Sequence, residues 1–261
     1  MYDELNHRRY VHPDPLEFLY PYRRLADREI VALIASSLAY GRVAQILKSA
    51  ADVLERIGPK PAEYLATTTP NAIRKKMNGF KHRFSTGEHV AAMLIGVRSV
   101  IAQHGSLKAC FAAGIRDDDE TIIGGLQAFV GEITDAAGGK KMIGHLLANP
   151  AGGSACKRLC LMLRWLVRKD RVDPGGWNAI PASKLLIPLD THMYKIAVGL
   201  GATKRKAADM RTTLEITAAF RRLEPEDPVR YDFALTRLGI RSEMDIETFL
   251  TTCRERTQSH G

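Results

Sequence analysis

The sequence predicts an all-α protein, on three observations. Apolar residues recur at helical spacing through most of the chain: Ile30, Leu33, Ile34, Ser37 and Leu38 share one face, and Val43, Ile46, Leu47, Ala50, Val53, Leu54 and Ile57 share another. Glycine and proline fall between these runs rather than inside them, as at Gly41, Gly58-Pro59 and Gly138-Gly139. No stretch alternates apolar and polar residues as a half-buried strand would, and no segment repeats.

Taken in order, residues 1–25 are irregular and aromatic, with Pro13, Pro15 and Pro21, and are expected to wrap over a later element. Asp27 is placed as the N-cap of a helix running to about Tyr40, and a second helix covers 43–57. Short helices follow to Phe84. Ser85 is then expected to cap an apolar helix over 85–103 that Gly105 stops. Helices over 107–115 and 121–137 flank the acidic run Asp117-Asp118-Asp119-Glu120, whose charge suits a helix N-terminus. Further helices are expected over 156–168, 191–200, 206–223, 227–238 and 245–256.

Composition narrows the class. With 261 residues, 45% hydrophobic and 26% charged, the chain can bury a substantial core and does not read as disordered. Lys and Arg total 38 against 29 Asp and Glu, a net charge of +9 that favours polyanions such as nucleic acid or an anionic membrane surface. The N-terminus lacks the apolar core of a signal peptide and no run is long enough to span a bilayer, so the expected location is the cytoplasm. Cys110, Cys156, Cys160 and Cys253 include no C-x-x-C pair and read as idle thiols in a reducing compartment. Between Asn71 and Ser85 stand Arg74, Lys75, Lys76, Lys81, His82 and Arg83 without an acid, interleaved with Phe80 and Phe84 as a strand-binding loop requires. The Lys204-Arg205-Lys206 cluster reads as a solvated face.

One stretch carries chemistry. Asn149-Pro150-Ala151-Gly152-Gly153-Ser154-Ala155-Cys156-Lys157-Arg158 reads as a helix, a tight glycine hairpin and a second helix opened by a lysine. Such a hairpin presents backbone N–H groups beside a helix N-terminus, which together suit a phosphate. Farther on, Ile187-Pro188-Leu189-Asp190-Thr191-His192 reads as a loop opening a helix with an aspartate. By residue type alone, Lys157 is a phosphate anchor, a solvated lysine or a nucleophile. A free lysine, with pKa about 10.4, is neutral in only about one molecule in 2,500 at pH 7, and lowering that pKa by about three units raises the fraction to about a quarter. Asp190 alone is a good N-cap, contributing roughly 1 kcal/mol. His192 reads as a partner in a local hydrogen bond, and Trp165 and Trp177 as core.

With Leu163-Arg164-Trp165-Leu166-Val167-Arg168-Lys169-Asp170 between them, these two motifs resemble the helix-hairpin-helix DNA glycosylase superfamily. The chain is most similar within it to the archaeal 8-oxoguanine DNA glycosylases and an uncharacterised bacterial family like them. The resemblance is clearest from Gly152 to Gly239 and looser in the N-terminal half. It departs from the commoner hairpin at Ala155, where a second glycine is usual.

The resemblance implies a two-lobed helical fold with a central cleft: a first lobe over about 27–140, a hairpin and catalytic-motif region over 141–239, and packing segments at 1–26 and 240–261. It implies that Lys157 is the nucleophile of a bifunctional glycosylase/AP lyase, that Asp190 assists it, and that Gly152, Gly153, Ser154, Ala155 and Arg158 contact DNA. The implied partner is double-stranded DNA with a base lesion, an oxidised purine in the archaeal relatives, bound by a monomer associated with the nucleoid. The glutamine that many members carry in the first helix pair is absent from Ala35-Ser36-Ser37-Leu38. No metal or organic cofactor is expected, and no iron–sulfur cluster, because of its four C-terminal cysteines only Cys253 is present. The rival reading is a non-catalytic DNA- or RNA-binding protein that keeps the hairpin as a clamp.

Overall fold

A helical stretch that is apolar on every side must be buried, and the second half of the helix Leu25–Ser37 contains one: Ile30, Val31, Ala32, Leu33, Ile34 and Ala35 are each at most 1% exposed. The rest of the chain is arranged about it in a computed structural model that describes residues 1–240 and 245–258. The fold is all-α.

In chain order, α1 (Tyr2–Leu5) and two 3₁₀ turns (Arg8–Tyr10 and Pro15–Leu19) precede α2 (Leu25–Ser37), α3 (Val43–Ile57), α4 (Pro61–Thr67) and α5 (Pro70–Met77). A minimal hairpin of β1 (Lys81–His82) and β2 (Ser85–Thr86) leads into α6 (Gly87–His104), α7 (Leu107–Ala113), α8 (Ile123–Ala136) and α9 (Lys140–Ile143). After a 3₁₀ turn at Pro150–Gly152 come α10 (Lys157–Val167), α11 (Thr191–Gly199), α12 (Met210–Leu223), α13 (Asp232–Ile240) and α14 (Ile246–Gln258). The buried apolar side chains form one continuous core reaching from Leu5 to Leu238, with Trp165 and Trp177 both fully buried in it.

Three details differ from the sequence reading. Asp27 does not cap its own helix, because α2 begins two residues earlier; its carboxylate accepts from Ala62 N at 2.9 Å and so caps α4 instead. Thr86, not Ser85, caps α6, in a reciprocal box with His89. The β-hairpin pairs Lys81 with Thr86 and His82 with Ser85, and strands of two residues are too short for alternation to show in sequence. The pairing is anchored by Tyr40, whose hydroxyl donates to His82 O and accepts from the Ser85 hydroxyl, and by the fully buried His82 ring beside Ser49 Oγ.

Charged groups fasten α10 to its surroundings. Arg164 and Arg168, one turn apart and both nearly buried, pair with Asp173 and Asp232 and with Asp170, Asp173 and Asp227 respectively. Removing one partner from such a group would leave a buried charge uncompensated. The N-terminal segment is tied to this region by hydrogen bonds: Tyr20 donates to Val172 O, Asn6 to Asp170, and Arg237 of α13 to Asp14. On the far side, α6 and α8 cross closely at Gly96, where a Cβ would stand 2.4 Å from Ile133 O. Among the described residues no single helix is long and apolar enough to cross a membrane.

Candidate active site

The hairpin before Lys157 is set by short-range hydrogen bonds. Asn149 Oδ1 accepts from Ala151 N at 2.9 Å, and the chain makes a single 3₁₀ turn where the sequence suggested a helix. Gly153 then takes the left-handed region at φ 77°, and its carbonyl accepts from Met210 N at 3.0 Å while Ser154 bridges to Asp209. Cys156 is left-handed as well, at φ 47°, a conformation that costs a non-glycine residue roughly 1 kcal/mol or more. Ser154 Oγ, which accepts from Cys156 N at 3.2 Å, and Ala148 O, which takes the Cys156 thiol at 3.3 Å, hold it there. Lys157 is the first residue of α10, where backbone N–H groups lack intrahelical partners.

The second motif is equally fixed. Ile187 N donates to Thr217 Oγ1 at 3.1 Å, Ile187 to Leu189 are buried, and Asp190 stands in extended backbone as the N-cap of α11, accepting from Met193 N at 2.8 Å.

These two helix starts meet. A first cavity of about 620 Å³ is lined by the hairpin residues Ser154 to Arg158 together with Tyr40, Asp190 and Tyr194. A second, of about 370 Å³, is lined by Lys157, Arg164, Asp190, His192, Asp232 and Arg237 among others. Lys157 and Asp190 line both, so the pair stands where the two adjoin.

The second cavity has a polar, buried end that the sequence did not mark. Arg164 Nη1 donates to Asp232 Oδ2 at 2.5 Å, yet Arg164 Nη2 and Asp232 Oδ1 are buried without a protein partner. Burial pushes the Asp232 carboxyl up to about 6, Arg164 opposes this, and the nearby Asp190 charge adds to it. In sequence Asp232 is one acid inside an apolar helical run, indistinguishable from a first-turn acid. Only its burial beside Arg164 marks it out.

The structure sorts the remaining candidates. Gly152, Gly153, Ser154 and Ala155 form the exposed or half-buried hairpin. Arg158 is turned inward, donating to Ser37 O at the C-terminal end of α2 and to His145 O, with its guanidinium carbon 5.0 Å from the centre of the Tyr40 ring. Carbonyls at a helix C-terminus carry partial negative charge, which suits this cation. Of the basic run, Arg74, Lys75, Lys76, Lys81 and Arg83 are exposed, whereas burial of His82 lowers its affinity for a proton. Phe80 is 3% exposed and belongs to the core; Phe84, 67% exposed, stands at the hairpin tip against His145 and under Arg83. Arg83 in turn packs on Gly41, which lines the second cavity, so the tip lies at the rim of the site. The 204–206 cluster is not an isolated face: Arg205 binds Asp209, the bridge partner of Ser154.

Residues 14–241 match a family described as a protein of unknown function (DUF2400), a span that contains every site residue above. The chain belongs to this family. No curated protein and no solved structure matches it.

Proposed function

We propose that the chain is a DNA base-excision glycosylase with AP-lyase activity that works through a Schiff base on Lys157. The observation that carries this reading is that Lys157 and Asp190, remote in sequence, each open a helix onto the same two adjoining cavities. A glycosidic bond cannot be reached inside a stacked duplex, so the damaged nucleotide is flipped out and its base enters the second cavity. There the unpartnered Arg164 Nη2 donates to a carbonyl oxygen and Asp232 Oδ1 accepts from a ring N–H. That pairing suits the amide-like edge of an oxidised purine.

The free amine of Lys157 attacks the sugar C1′, and the base leaves with the electron pair of the glycosidic bond and takes up a proton. Asp190, fixed by Met193 N–H, stabilises the positive charge that develops on the sugar. The adduct opens to a Schiff base, which loses a C2′ proton and expels the 3′ phosphate by β-elimination. The first cavity, walled by the hairpin and the start of α10, takes the phosphate flanking the lesion. Lysine chemistry of this kind calls on no metal or organic cofactor.

Borohydride trapping tests the proposal. A duplex panel carrying 8-oxoguanine, oxidised pyrimidines, alkylated purines, uracil or an abasic site should give a covalent protein–DNA adduct with at least one damaged base. Lys157→Gln should abolish the adduct while DNA is still bound. Tight binding with no adduct on any lesion would instead support the non-catalytic clamp, which the exposed basic residues 74–83 could serve.

A further inference from the structure

Away from the cleft, three metal-binding side chains converge where α6, α7 and α8 meet. His104 ends α6, Cys110 lies in the middle of α7 and Glu132 projects from α8. One ligand atom from each lies within 4.8 Å of the other two. His104 Nε2 and Glu132 Oε2 are 2.5 Å apart. Cys110 is fully buried beneath them, while the His104 and Glu132 side chains are 18% and 35% exposed. The set is therefore closed below by the thiol and open above to solvent, which supplies both an entry path and a further coordination position.

The backbones that carry these residues are firmly placed. Gly105, left-handed at φ 82°, ends α6, and α7 leaves it at a bend of 73°. Ser106 caps α7 through Ala109 N, and the buried Glu29 carboxylate accepts from Leu107 N and Lys108 N. Phe111, next to Cys110, packs against both Phe129 of α8 and Trp177. None of the three ligands lines either cavity of the candidate active site.

The donor types select the ion. One imidazole nitrogen, one thiolate sulfur and one carboxylate oxygen form a borderline set that suits Zn²⁺, whereas Ca²⁺ and Mg²⁺ take oxygen ligands. Zinc bonds of about 2.0–2.3 Å in a tetrahedron separate the donor atoms by roughly 3.3–3.8 Å. His104 and Glu132 must therefore part by about 1 Å and Cys110 draw toward them, a change within reach of side-chain rotation.

We propose that His104, Cys110 and Glu132 form a zinc site, completed by water, that clamps the α6–α7 bend to α8. On binding, the Cys110 thiol gives its proton to solvent and its sulfur lone pair to the metal; nothing is oxidised or reduced. The role is structural and stands independently of the lysine chemistry.

Cobalt is the probe. The full chain, stripped with chelator and titrated with Co²⁺, should bind one equivalent with a thiolate-to-cobalt charge-transfer band that Zn²⁺ then displaces. Cys110→Ser should lose the band, and His104→Gln and Glu132→Gln, at partly exposed positions, should each weaken Co²⁺ binding on the order of tenfold or more. Zn²⁺ should raise the thermal midpoint of the unsubstituted chain by more than it raises that of Glu132→Gln. Absence of the band in the unsubstituted chain overturns the proposal, as does a band that survives Cys110→Ser. If Cys110→Ser does not fold, undiminished Co²⁺ affinity in both His104→Gln and Glu132→Gln overturns it equally.

Discussion

Lys157 opens α10 and Asp190 caps α11, and both residues line the two cavities that adjoin between those helix starts. The hairpin fixes the first residue and a capping hydrogen bond the second, so neither position depends on a flexible loop. A carboxylate that both holds a helix and serves a site has two separable duties, and substitution can distinguish them.

Asp190→Asn retains an oxygen acceptor for Met193 N and should stay within about 0.5 kcal/mol of the unsubstituted stability in urea. Its single-turnover trapping rate should fall on the order of 100-fold or more, because the charge facing the developing cation is gone. Asp190→Ala should lose both, with stability lower by roughly 1 kcal/mol. Trapping by Asp190→Asn at the unsubstituted rate would leave Asp190 as a cap alone.

Arg158 and Lys81 should respond differently to salt. Duplex binding is expected to weaken steeply between about 50 and 200 mM salt, and Lys81→Ala should lower the salt slope by about one. Arg158 donates to Ser37 O and His145 O, so Arg158→Ala should leave the slope unchanged and cost roughly 1–3 kcal/mol of stability through the buried Ser37 carbonyl left unpaired. A variant of unaltered stability and reduced slope would assign Arg158 to phosphate after all.

Asp232 makes a pH signature. Burial raises its carboxyl to about 6, above the unfolded range near 4, so the folded chain holds this proton more tightly than the unfolded chain does. The resulting stabilisation is complete below about pH 4 and is lost as pH rises through about 6. Urea unfolding of the unsubstituted chain and Asp232→Asn, compared from pH 4 to 8, should show the unsubstituted chain losing stability relative to the variant mainly between about pH 4 and 6. A difference that stays constant across that interval would contradict the assignment.

Much of the fold is written locally. The apolar spacing of Ile46, Ala50, Val53, Leu54 and Ile57 announces α3, and Asp190 before Thr191-His192 announces a cap. Periodicity and capping act within one or two turns, so a few neighbouring residues encode them. The hairpin glycine at 153 is legible for the same reason, since a tight reversal needs a left-handed residue. What lies across the chain is not legible in this way. Nothing near Arg158 in sequence says that it reaches Ser37, nothing near Asp27 that it caps α4, and Phe80 and Phe84 look alike although one is core and the other exposed. The buried Arg164–Asp232 pair and the His104, Cys110 and Glu132 cluster belong to the same class. Burial and charge pairing are properties of an environment assembled from distant segments, and only the packed chain decides which polar groups share it.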